Sequence, residues 1–303
     1  PWINGTGTFV LESNDTSYGQ GIETAWFNID QDGNSYGGLT IGKATNTQNI
    51  NINSAQEVAG PIAIYGDANF LNQNLGTNAA NGHILLQGET SIRANSSDRT
   101  LNSGSGDITL ITNNLIDTAS KVIIQSTGTF TIKPFGSAFS SYGGEFGLGG
   151  TLTSGDFIGS SDANGLRINN VSQLTGLVFG KEAITTGFRT FTDWTINGPI
   201  SFLGDFMRVS GGNITSTASN EAIIFKVLEE ITIEENRSIQ ANNGDIILWA
   251  DSDADGGFIT VNEGVTINTQ GGDLVLAGGA DDGSNGGVSS DGIPDDFAWR
   301  KTN

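Results

Sequence analysis

The residues of this chain best suited to chemistry are gathered in a few acidic turns. The sharpest is Asp-Ser-Asp-Ala-Asp-Gly-Gly at 251–257, where Asp251, Asp253 and Asp255 alternate and Gly256 follows. That is the D-x-D-x-D-G opening of a calcium loop, in which three carboxylates converge on a hard cation and glycine permits the tight turn. In the helical version of that loop a Glu closes the shell at position 12. Here that position is Asn262, and Glu263 stands one residue late. The expectation is calcium held by Asp251, Asp253, Asp255 and Glu263 in a non-helical turn. The competing reading is a solvated acidic corner, since Asp and Gly are good turn residues in their own right. Asp281–Asp282, the stretch Asp291–Asp296 and Asp30–Asn34 are weaker acidic turns of the same kind.

Other signals carry less. Gly37-Gly38-Leu39-Thr40-Ile41-Gly42-Lys43-Ala44 nearly fits the phosphate-cradling G-x-x-x-x-G-K-[ST], but Ala44 has no hydroxyl for magnesium and no helical pattern follows, so nucleotide binding is not expected. His83, ahead of Ile84-Leu85-Leu86, reads as a surface or turn residue. Trp26, Trp194, Trp249 and Trp299 are candidates for sugar-stacking platforms, with Trp249, beside the calcium turn, the best of them; packing at coil edges is the alternative. A glycoside hydrolase needs two carboxylates at a fixed separation. The carboxylates here lie in turns, and Lys and Arg are scattered singly, so no catalytic residues are assigned.

Composition narrows the field further. Lys and Arg number 13 against 33 Asp and Glu, a net charge of −20 over 303 residues. A surface that binds duplex nucleic acid needs clustered cations, and this charge repels phosphate. The absence of cysteine excludes disulfides, thiolate metal sites and a cysteine nucleophile. No apolar run approaches the ~20 residues of a membrane span, so no membrane insertion is expected. Sixteen Phe and 5 Trp, with 36% hydrophobic residues, are enough for a core, unlike a disordered acidic chain. Pro1 is not preceded by a basic and apolar leader, so a signal sequence is expected to be already removed or upstream.

The elements that must position these turns are strands. Short alternating apolar clusters recur, each bounded by Gly, Asn, Asp or Ser: Ile62–Ile64, Ile84–Leu86, Ile108–Leu110, Phe130–Ile132, Ile223–Phe225, Ile246–Leu248. Three longer segments return at one offset of 138 residues: GLTIGK at 38–43 as GLVFGK at 176–181, GPIAIYGD at 60–67 as GPISFLGD at 198–205, and GDITLIT at 106–112 as GDIILWA at 244–250. The turn after Thr112, NNLIDTAS, lacks the triple Asp of its counterpart. One strand-and-turn unit cannot bury its own apolar face, so units must stack. The reading is all-β: a right-handed parallel β-helix of roughly 10–12 coils, at about 25–30 residues each, forming one continuous rod on the order of 50–60 Å long over 1–303. The tandem repeats run approximately 5–126 and 127–264, with 265–303 a further partial unit. Gly, Asn and Asp are assigned to the corners, where sharp bends between short strands need φ > 0, and this accounts for the 44 Gly.

The succession GLxxGK, GPIxxxGD, GDIxL and GGDLVLAGG at 271–279 resembles the repeat arrays of filamentous-haemagglutinin-like bacterial surface adhesins and giant repetitive exoproteins. The resemblance extends over nearly the whole chain and implies an exported, extracellular β-helix that serves attachment at the bacterial cell surface. No catalytic residues carry over from it. Its implied partners are a cell surface, a glycan or neighbouring copies of the chain. The expected function is a non-catalytic structural and adhesive segment of a longer protein. The rivals are a polysaccharide lyase or hydrolase on the same fold and a filament subunit stacking end to end.

Overall fold

The computed structural model describes residues 2–3, 6–26, 28–29, 36–80, 82–114, 120–139, 145–148, 156–158, 165–282, 289, 294 and 296–297. The chain divides into two compact units, Pro1–Ser141 with Thr151–Asn170, and Tyr142–Gly150 with Val171–Asn303. Each is a parallel β-solenoid. In the first, the main sheet stacks Thr8–Leu11, Gly38–Ile41, Ile62–Leu71, Ile84–Ala94, Ile108–Thr112 and Thr129–Lys133. In the second it stacks Gly176–Gly180, Ile200–Gly204, Ile223–Val227, Ile246–Trp249 and Leu274–Gly278. Among the described residues this sheet has six rungs in the first unit and five in the second. Among the described residues the only helices are two single 3₁₀ turns, Thr24–Trp26 and Val171–Gln173.

Alternation makes the rungs, and register makes the stack. In a strand, successive side chains point to opposite faces, so every second residue enters the interior. Ile62, Ile84, Ile108 and Phe130 are register partners in succession, and all are at most 1% exposed. The second unit repeats the arrangement with Leu177, Ile200, Ile223 and Ile246. Partners in these two columns lie 22 to 24 residues apart, a shorter coil than the 25–30 expected. The corners are tighter than the sequence implied. Ile246 to Leu274 takes a longer path because it accommodates the Asp251–Gly257 turn.

Two further sides close each coil. On the second side of the first unit, Ile22, Ile50 and Asn69 follow in register; in the second unit Phe188, Met207, Ile231 and Ile259 do so. The third side consists of Gln56–Val58, Leu75–Thr77, Arg99–Gly104, Lys121–Ser126 and Gly165–Asn169 in the first unit. Its counterpart in the second is Trp194–Ile196, Ile214–Ser219, Ser238–Asn242 and Thr266–Asn268.

The repeated segments occupy equivalent rungs, and their glycines have a steric reason. A Cβ on Gly60 would lie 1.8 Å from the carbonyl oxygen of Gly37, and one on Gly198 2.0 Å from that of Thr175. Neither has a positive φ; what excludes a side chain is the backbone of the preceding coil. At these two positions close packing between coils, and not φ > 0, accounts for the glycine. Elsewhere the expected positive φ is present among the described residues: on seven Gly, on Asn170, Asn220, Asn236 and Asn243, and on Asp251, residue types that tolerate the left-handed region. Gly42 and Gly180 combine both demands, with φ of 78° and 80°.

The interior of the second unit is dominated by an aromatic ladder. Phe179, Phe202 and Phe225 stand on successive main-sheet rungs, with ring centroids 5.3 and 5.4 Å apart. Phe188 joins from the second side at 5.9 Å from Phe202, and Trp194 meets Phe179 edge-on at 5.7 Å. All five are fully buried.

Candidate functional site

The Asp251–Gly257 turn forms the corner between Ile246–Trp249 and Phe258–Val261. Its geometry follows from its own residues. Asp251 adopts φ 57°, and its Oδ1 accepts a hydrogen bond from the Gly256 amide at 2.7 Å. The Ala254 amide donates to the Asp251 carbonyl at 3.0 Å. The first Asp is therefore used to fold the turn. Asp253 and Asp255 are exposed, and Asp253 stands near Asp205 of an earlier coil. Burial, and secondarily the negative charge of Asp253, push the Asp205 carboxyl above its ordinary range. Glu263 belongs to a different corner. The intervening strand Phe258–Val261 spans about 13 Å, and the Glu263 carbonyl accepts from the Asn236 amide at 3.1 Å. Among the described residues no three His, Cys, Asp or Glu side chains are grouped to hold a metal ion. Asp30–Asn34 and most of Asp291–Asp296 lie outside the described residues; Asp281 and Asp282 sit in a bend after Leu274–Gly278.

The aromatic candidates are corrected by packing. Trp249 is 3% exposed; its Nε1 donates to the Gly279 carbonyl at 2.7 Å, and the Lys226 ammonium lies 4.0 Å from the ring centre. It has no open face for a sugar. Trp194 is in the core, and the side chains of Trp26 and Trp299 lie outside the described residues. His83 is a surface residue whose Nδ1 accepts from the Asp107 amide at 3.1 Å. Lys43 of the phosphate-loop look-alike donates to the Ser13 carbonyl at 3.0 Å.

Stacking also brings together cations that look scattered along the chain. Arg189 and Arg208 are register partners on the second side of the second unit. Arg208 meets Glu230 at 2.7 Å and Arg189 meets Glu234 at 3.6 Å. Lys226 pairs with Glu182 at 2.8 Å across 44 residues of sequence. These partly exposed pairs offset like-charge repulsion between adjacent rungs, each contributing at most about 1 kcal/mol.

A concave surface lies elsewhere, on the outer face of the first unit's third side. Glu57, Gly76, Asn102 and Gln125 are successive register partners, pointing away from the buried row of Leu75, Leu101 and Ile124. Because Gly76 has no side chain, the row is interrupted by a groove of about 430 Å³, which Asn74 and Thr100 also line. That volume lies in the range of small-molecule clefts. Sequence reading passed over these residues because, strand by strand, each is an ordinary polar position on a solvated face. Only the register assembles them.

Among the described residues no helix is long and apolar enough to cross a membrane. No family model, curated protein or solved structure matches the chain.

Proposed function

We propose that this chain is a non-catalytic structural and attachment segment of a large exported protein or filament of the bacterial cell surface. The observation that supports this reading best is how the chain uses its residues. Interior positions form columns from coil to coil, corner glycines such as Gly60 and Gly198 admit the carbonyls of the preceding coil, and Arg189 and Arg208 are paired with carboxylates one or two coils on. Such a unit resists deformation because each rung is held on both sides by neighbours. Its outer faces, rich in Asn, Thr and Ser, are left to meet a cell surface, a glycan or another copy of the chain. The resemblance to filamentous-haemagglutinin-like repeats points the same way.

Pulling single molecules by their termini tests the mechanical half of the proposal. Rung-by-rung unfolding at sustained force is the expected record. Extension at negligible force, without discrete steps, would overturn it.

A further inference from the structure

The outer row of the third side exists in both units, and comparing them isolates one position. In the second unit the row reads Thr195, Thr215, Gln240 and Asn268, again register partners in succession. Segment 56–58 and segment 194–196 are equivalent, since they precede the two GPI motifs by the same distance. Glu57 thus corresponds to Thr195, Gly76 to Thr215, Asn102 to Gln240 and Gln125 to Asn268. Amide groups recur in both rows, but only the first has a gap, at Gly76.

That gap is not imposed by the fold. A Cβ on Gly76 would have its nearest neighbour, the Asn102 carbonyl oxygen, at 3.5 Å, an ordinary contact, and Gly76 lacks a positive φ. Corner glycines such as Gly60 are fixed by collision; Gly76 is not. Glu57 and Asn102 stand two strand spacings apart, about 9.6 Å, with no side chain between them. The groups around the gap have bonding capacity to spare. Glu57, Thr100 and Gln125 have no side-chain hydrogen bond among the described residues. The side chains of Asn74 and Asn102 use their Oδ1 to accept from the Thr100 and Gly104 amides, at 3.0 and 3.1 Å, which leaves both NH₂ groups available.

The chemistry of the lining selects the ligand. The groove contains no Lys or Arg, and the Glu57 carboxylate disfavours anions. One carboxylate is too few to hold a divalent cation. Ala55 and the buried Leu75 offer little surface to an apolar molecule. What remains is a neutral, hydroxyl-rich ring, to whose hydroxyls the carboxylate accepts and the amides both donate and accept. We propose that the groove over Gly76 is a subsite for a neutral pyranose unit of a polysaccharide. It rests on the attachment reading and gives that reading a location. With no aromatic ring in the lining, affinity for one short sugar is weak and grows by repetition along a polymer.

The test is an NMR titration of the isotope-labelled full chain with cellobiose, maltose and, as an acidic control, digalacturonate. At least one neutral disaccharide is expected to shift the Gly76 backbone amide and the side-chain amides of Asn102 and Gln125, with a dissociation constant in the millimolar range, and digalacturonate is not. Gly76→Thr, which installs the residue found at 215, is expected to weaken binding about tenfold, the loss of one or two hydrogen bonds, at an unchanged melting temperature. Gln125→Ala, a change at an exposed position, gives a second variant with loss of the same sign. Undiminished binding by both variants, absence of shifts with both neutral sugars at tens of millimolar, or preference for digalacturonate would each overturn the site. The attachment reading has its own readout, retention of the wild-type chain on polysaccharide-coated surfaces. Retention that persists in Gly76→Thr alongside unchanged shifts removes the site and leaves attachment standing.

Discussion

Replacing Phe202 by alanine removes the centre of the aromatic ladder. The ring is fully buried and meets Phe179, Phe225 and Phe188 at 5.3, 5.4 and 5.9 Å. Truncating a buried Phe costs about 3–5 kcal/mol, the upper end applying where surroundings cannot collapse into the cavity. Here they cannot, because Phe179 and Phe225 stand on strands paired directly to Ile200–Gly204, and Phe188 on a second-side strand held by its own pairing to Met207–Val209. Loss of the ring–ring contacts adds to the transfer cost. The expected destabilisation is about 4–5 kcal/mol, a large part of the ~5–15 kcal/mol that holds a domain folded. Urea unfolding followed by tryptophan fluorescence measures it, with Trp194 and Trp249 as reporters in the same unit. Amide hydrogen exchange should show protection falling in Gly176–Gly180 and Ile223–Val227, the adjacent rungs. Phe191, 46% exposed, is the control, and its alanine variant should lose less than about 1 kcal/mol. A Phe202→Ala chain within about 1 kcal/mol of wild type, or equal losses at 202 and 191, would refute the ladder as the source of cohesion.

Three further outcomes follow from the same geometry. Gly198→Ala places a Cβ 2.0 Å from the Thr175 carbonyl oxygen and must push two coils apart. It should lower the urea midpoint by the equivalent of about 2–3 kcal/mol, while Gly76→Ala should be close to neutral. Trp249→Phe leaves the Gly279 carbonyl without its indole donor, and thermal melts should show a loss of about 1–3 kcal/mol. Asp205 has its pKa raised by burial and by Asp253, so its ionised form opposes folding. The favourable effect of its protonation is complete below the ordinary aspartate range and is lost as pH rises through the folded-state value. Asp205→Asn should accordingly be more stable than wild type at neutral pH, with the urea midpoints converging as the medium is acidified; a constant difference across that range would contradict the assignment.

The solenoid was legible because its evidence is periodic. The segments at 38, 60 and 106 and their returns 138 residues later mark equivalent places in two stacks, so repetition in the sequence translates directly into rungs. The chemical candidates were less legible because their meaning depends on what lies one coil away. Trp249 beside an acidic turn looks like an exposed platform until Lys226 and Gly279 from the adjacent coils enclose it. Glu263 is close to Asp255 in sequence, yet an extended strand carries it to another corner. Gly60 and Gly76 are both glycine, one compelled by a carbonyl and the other free to change, and nothing local distinguishes them. The groove lining is spread over 55–125 and assembled by register alone.

The measurement that bears most directly on the central claim is incubation of the purified chain with immobilised neutral and acidic polysaccharides, recording both protein retained and sugar released. The account predicts retention without new reducing ends or unsaturated products. Release of either product, or failure to be retained on any surface offered, would contradict it.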